Sequence, residues 1–149
     1  MCPKNLREVR ERDTLRRIAE KMKADMAGKV AINAIVLFGS TALGEFLDES
    51  DVDICFLSVD FDLNEPMIRR LEKIQPALEP FIGIDPVCLC PGEVKRMDHV
   101  LVLDILNDGV VLLDDGSFRS LREQFKNALE EGRIVPFEGG WQISPMVQK

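Results

Sequence analysis

Two apolar runs joined by a connection too short for a full helix set the terms on which this chain can fold. Val30 to Phe38 is nearly continuous and rich in β-branched residues, which predicts a buried strand. Val52 to Ser58 predicts a second strand, and between them Ser40 to Gly44 has room for little more than a helical turn before the acidic loop Glu45 to Ser50. A strand-to-strand step without an intervening helix argues against a doubly wound parallel sheet. It favours an α+β fold with a small mixed β-sheet and helices packed mainly on one face.

The remaining elements follow from periodicity. Leu6, Val9, Leu15, Ile18, Ala19, Met22 and Met26 form one helical stripe over 4–28, with Gly28 as its stop. The opposite face carries Arg7, Arg10, Arg12, Arg16, Arg17, Lys21 and Lys23, read as a solvated basic face. Asn64 to Gln75 predicts a helix that Pro76 and Pro80 prevent from continuing. Phe81 to Cys90 predicts a strand that the Asp85-Pro86 pair makes an edge or a bulge, because proline cannot donate to the ladder. A helix from Pro91 to Asn107, a short strand Val110 to Leu113 and a helix from Ser117 to Glu131 complete the pattern. Residues 133–149 show no periodicity and are expected to be a draped extension or disordered. The expectation is thus one domain over 1–149, with an N-terminal helix at 4–28, a core at 30–115, a C-terminal helix at 117–131 and a tail at 133–149.

Composition excludes several classes. No apolar run approaches the ~20 residues of a membrane span, and the charged amphipathic start is unlike a secretion signal, so a cytoplasmic protein is expected. The net charge of −7 removes the positive field that long nucleic acids require. Four cysteines, of which only Cys88 and Cys90 are close in sequence, fit neither a zinc knuckle nor a redox pair and are read as buried thiols. His99, the one histidine, has no ligand partner at metal spacing and is assigned a structural place.

Chemistry concentrates between the first two strands. On the second strand Asp51, Asp53 and Cys55 fall on one face and Val52, Ile54 and Phe56 on the other. The two acids stand roughly 6.5 to 7 Å apart at the backbone, a spacing that suits carboxylates converging on shared cations. Gly39 permits close backbone approach, and Ser40 offers a hydroxyl and an N–H to phosphate oxygens. Asp60 and Asp62 repeat the Asp-x-Asp spacing but lack a Gly-Ser partner and are read as loop residues. Arg69, Arg70 and Lys73 follow the second strand and are within sequence reach of a triphosphate, with a solvated face as the simpler reading.

Gly39-Ser40, ten residues, then Asp51-x-Asp53 resembles the signature of the nucleotidyltransferase superfamily typified by DNA polymerase β, above all its minimal, MNT-type members and the kanamycin nucleotidyltransferase-like domains. The likeness includes Ala42, Gly44 and Ser50 and extends more loosely over Ala31 to Asp115, where Asp104 to Leu113 resembles the helix-Gly-strand ending of the minimal proteins. It implies a palm-like fold and transfer of a nucleoside monophosphate, AMP from ATP, to a hydroxyl of a protein or small molecule. Asp51 and Asp53 would hold Mg²⁺, Gly39 and Ser40 the phosphates, and Asp85 would be the third metal ligand or the base. It also implies a HEPN-type partner in a toxin–antitoxin pair, with modification of a tyrosine on the toxin; this chain has no tyrosine of its own. If Asp85 instead only forms an Asp-Pro turn, the alternative is a degenerate domain that binds a partner or nucleotide without turnover.

Overall fold

A computed structural model describes residues 4–9, 11–42 and 51–143, without the side chains of Ser40 and Thr41. After a 3-10 turn, Leu6–Glu8, the order is α1 (Arg12–Met26), β1 (Ile32–Phe38), α2 (Gly39–Ala42), β2 (Val52–Ser58), α3 (Met67–Leu78) and β3 (Ile84–Leu89). Then come α4 (Pro91–Arg96), α5 (Val100–Asp108), β4 (Val110–Asp114), α6 (Ser117–Glu130), β5 (Ile134–Phe137) and β6 (Gly140–Ile143). None of the described helices is long and apolar enough to cross a membrane.

The expected mixed sheet is present, in the order β3-β2-β1-β4. β1 is antiparallel to both β2 and β4, whereas β2 and β3 run parallel. The α3 crossover covers one face of the sheet. To reach the far edge, the chain between β3 and β4 crosses the other face as α4 and α5. The helices therefore do not gather mainly on one face, as expected, but divide between two. Ile35, Leu37, Ile54 and Phe56 pack with α1 and α3 in one apolar cluster. Ala34, Val36, Cys55 and Leu57 pack with α4, α5 and α6 in the other. A strand wedged between two cores needs apolar residues at successive positions, which is why β1 is unbroken apolar from Ala34 to Phe38.

Four further expectations are revised. The N-terminal helix begins only at Arg12, because residues 4–9 leave the helical path and run alongside Ile82, with Leu6 N–H donating to Ile82 C=O at 2.9 Å and Ile82 N–H to Lys4 C=O at 2.8 Å. Pro76 does not end α3, which continues to Leu78: the lost hydrogen bond falls in the last turn, where Ile74, Ala77 and Leu78 are buried. The helix expected from Pro91 to Asn107 is two, broken at Met97 in a left-handed conformation (φ 52°), with His99 capping the second through Nδ1, which accepts from Leu101 N–H at 3.1 Å. In the tail, Ile134–Phe137 and Gly140–Ile143 form an antiparallel hairpin around Gly139. Trp141 pins it, donating to Asp104 at 2.9 Å and meeting Phe125 edge to face.

The edge position expected of the proline-bearing strand is observed, since β3 closes one side of the sheet. Cys55, Cys88 and Cys90 are buried free thiols; burial pushes Cys88 up to about 12 and Cys55 further still, which makes those two inert. Residues 43–50, which include the acidic loop, Gly44 and Ser50, lie outside the described residues, as do Cys2 and 144–149.

Candidate active site

The antiparallel register of β1 with β2 sets Phe38 opposite Asp53, so the chain leaves β1 beside the second acid of the Asp-x-Asp pair. Gly39 is the next residue and has φ +73°, a conformation that L side chains rarely adopt. A Cβ at Gly39 would run into Asp53 Oδ2. The glycine is thus required twice, for its backbone angle and for the space its missing side chain leaves to the carboxylate.

Parallel pairing then places Asp85 directly beside Asp53, with Val52 beside Ile84 and Ile54 beside Pro86. Neighbours in register share a face, so Pro86 does not turn Asp85 away, and the two carboxyl groups come within hydrogen-bonding range. Asp53 is raised to about 6, first by desolvation, then by the charge of Asp85 and a hydrogen bond to it, and last by Asp51. Like charges this close cannot both ionise freely, so the pair is best satisfied by a shared proton or a cation.

Asp51 stands two residues earlier on the same face, exposed, with its Oδ1 accepting from Arg7 Nε at 2.8 Å. Among the described residues no three His, Cys, Asp or Glu side chains form a ready-made metal cluster. The fit to a divalent cation is therefore two carboxylates already facing each other and a third, on the same strand face, engaged by an arginine. The backbone of Ser40 lies in α2, immediately after Gly39; its side chain is outside the described set.

Residues 15–135 match the nucleotidyltransferase domain family. The chain belongs to that family. A proposed protein adenylyltransferase of Methanocaldococcus jannaschii is 35% identical over 82 residues, 54% of this nucleotidyltransferase domain chain and 73% of the relative. A crystal structure of a proposed nucleotidyltransferase from Sulfolobus solfataricus has a TM-score of 0.52 at 21% identity, covering 70% of this chain and 84% of that one. A toxin–antitoxin crystal structure with AMP-PNP has a TM-score of 0.52 at 20% identity, with coverage of 79% and 89%. At these identities the two structures speak for the fold alone.

Other residues singled out in the sequence of this nucleotidyltransferase domain have structural employment. Asp60 accepts from Ala31 N–H at 2.7 Å, and Asp62 from Asn64 N–H at 2.9 Å, so the second Asp-x-Asp builds a loop. Lys73 pairs with Glu65, and Arg70 is buried rather than solvated or free to meet phosphate. Arg7 was hidden in the basic run of the N-terminal stripe, since nothing in that spacing marks one arginine as nearest the acids.

Gly39→Ala is expected to lower stability by about 1–3 kcal/mol, the scale of a residue held in a disfavoured backbone region. It should also push Asp53 off Asp85. A carboxyl-carbon NMR titration would then show Asp53 returning toward the ordinary aspartate range; an unmoved titration would contradict the assigned contact.

Proposed function

We propose that this domain transfers AMP from ATP to a hydroxyl of a protein or small-molecule acceptor in a reaction dependent on divalent metal, with a HEPN-type protein as a candidate partner. The observation that carries the reading is the side-by-side register of Asp53 and Asp85 next to Gly39, at the strand end where the Gly-Ser turn begins. The adenylyl group is favoured by the 35% identical relative named for protein adenylylation, and the partner by the resemblance of the Gly-Ser…Asp-x-Asp motif to the minimal nucleotidyltransferases.

Asp51, Asp53 and Asp85 are the residues that would hold Mg²⁺, which when bound offsets triphosphate charge and acidifies an attacking hydroxyl. Gly39 and Ser40 present backbone N–H groups toward phosphate oxygens. Asp85, paired with Asp53, takes the proton of the acceptor hydroxyl. An oxygen–phosphorus bond then forms at the α-phosphorus, the α–β anhydride bond breaks, and pyrophosphate leaves. Asp53, raised to about 6 beside Asp85, lies nearer the working range of a base at neutral pH than an ordinary aspartate does.

The test is incubation with ATP labelled in the α-phosphate, Mg²⁺ and the protein encoded beside this one. Label on the partner with release of pyrophosphate, both lost in Asp85→Asn, is the expected result. Intact partner binding with no label on any candidate acceptor would leave a binding module without turnover.

A further inference from the structure

We propose that Arg7 is a positioning residue for the acid site: it holds Asp51 while the carboxylates lack metal, and yields Asp51 when a divalent cation arrives. The inference rests on the nucleotidyltransferase reading above and adds to it a resident counter-cation supplied by the N-terminal segment.

The contact joins residues 44 apart in sequence, and the fold builds it from both sides. Leu6 is fully buried and Val9 nearly so, which anchors the segment on either side of Arg7. The backbone bonds of Leu6 to Ile82 and of Ile82 to Lys4 fix its register beside the start of β3, and Asn5 Oδ1 accepts from Arg7 N–H at 3.1 Å. Gly83 then admits it. This glycine has φ +80°, and a Cβ there would lie 2.7 Å from Arg7 Cγ and 3.0 Å from Arg7 N. Its carbonyl accepts from Val52 N–H at 2.8 Å, so one residue touches both the arginine's segment and the neighbour of Asp51. Arg7 is delivered to Asp51 by a scaffold, not by a chance surface encounter.

The chemistry explains the arrangement. Three carboxylates on adjacent strands repel one another, and a guanidinium on the outermost relieves part of that repulsion. Both partners of the pair are 43% exposed, and ion pairs at such positions are held weakly. Arg7 is thus suited to be displaced. A divalent cation that draws on all three carboxylates competes with Arg7 for Asp51, whose Oδ1 the guanidinium holds, so metal binding weakens the Arg7–Asp51 contact.

The experiment uses the full chain and metal alone, without nucleotide. Mn²⁺ binding is measured by calorimetry for wild type, Arg7→Gln, Arg7→Lys and Asp53→Asn, with folding of each checked by circular dichroism. Arg7→Gln is expected to bind Mn²⁺ about three- to ten-fold more tightly, on the scale of a weak exposed pair, and Arg7→Lys to stay near wild type. Arg7→Gln binding no more tightly than wild type overturns the proposal. In the wild type, the Arg7 Nε–Hε NMR cross-peak is expected to move on saturation with Mg²⁺ toward its position in metal-free Asp51→Asn. An unmoved cross-peak overturns the proposal even if Arg7→Gln fails to fold. Metal binding that is lost in Asp53→Asn yet indifferent to Arg7 defeats the role of Arg7 and leaves the nucleotidyltransferase reading standing. Absence of Asp53-dependent binding in every variant, with ATP present as well, defeats both.

Discussion

Asp53→Asn is expected to lower nucleotidyl transfer by ~10²–10³-fold or more while leaving the metal-free protein at least as stable as wild type at neutral pH. The loss of rate is on the scale seen when one well-placed electrostatic group is removed from an active site. The gain in stability follows from the direction of the Asp53 shift, from 3.8 to about 6. Below the unfolded value the group is neutral in both states and costs nothing. As pH rises from 3.8 toward 6 the unfolded chain gives up this proton while the folded chain keeps it, so stability falls across that window. Above 6 the folded protein carries a charged Asp53 against Asp85 and Asp51, and the full cost is present. Without solvent screening the shift would correspond to about 3 kcal/mol. Asp53 is only partly buried, so roughly 1 kcal/mol is expected. Urea unfolding in EDTA should show Asp53→Asn more stable by that order at pH 7.5 and equal to wild type below pH 4. An asparagine variant less stable than wild type at pH 7.5 would make Asp53 a structural residue and remove the argument for a strained site.

How far the sequence alone reaches is clearest at the two ends of this site. That Asp51 and Asp53 share a face follows from strand alternation and needs no structure. That Asp85 stands beside Asp53 does not, because a parallel register is set by the α3 crossover and by what packs at the start of β3. A shift of one residue would have turned the Asp85 side chain to the opposite face. The proline behind it was a poor guide: at an edge strand its missing donor costs the sheet little, and the side chain before it keeps its direction.

Elsewhere the signal was present but ambiguous. The unbroken run Ala34 to Phe38 of β1 carries the two-sided burial that the absence of a helix between β1 and β2 argues against. Leu6 and Val9 fit the stripe of α1 by spacing, yet they are buried by an extended segment held to Ile82, a contact made across more than seventy residues that local periodicity does not encode. The β5–β6 hairpin was missed because Val135 and Phe137 are exposed and only one short face, Ile134 with Trp141 and Ile143, meets the core.

Arg70→Ala should be the most destabilising single substitution argued for this chain, at about 3–5 kcal/mol, the usual cost of breaking a buried ion pair by removing one partner. Arg70 is 3% exposed and each of its guanidinium nitrogens is engaged. Nε donates to Glu65 C=O at 3.1 Å; Nη1 donates to Cys88 C=O at 3.0 Å and to the Glu93 carboxylate; Nη2 donates to Asp62 C=O at 2.8 Å and Leu63 C=O at 3.3 Å. Removing the side chain takes the donor from these carbonyls and leaves the Glu93 carboxylate, among the described residues, with only the Cys90 N–H that it caps at 2.7 Å. A protein of this size holds about 5–15 kcal/mol in all, so the variant should lose ~10 °C or more in Tm by calorimetry. Arg70→Lys should recover little, since an ammonium cannot reproduce the planar fork that serves these acceptors. A fully stable Arg70→Ala with weakened ATP binding would restore the triphosphate contact that the residue's place after β2 suggested. The structural outcome bears on the site as well. Arg70 grips Cys88, three residues along the same edge strand from Asp85, so its loss should loosen β3 where only one neighbouring strand holds it, and with it the register that sets Asp85 against Asp53.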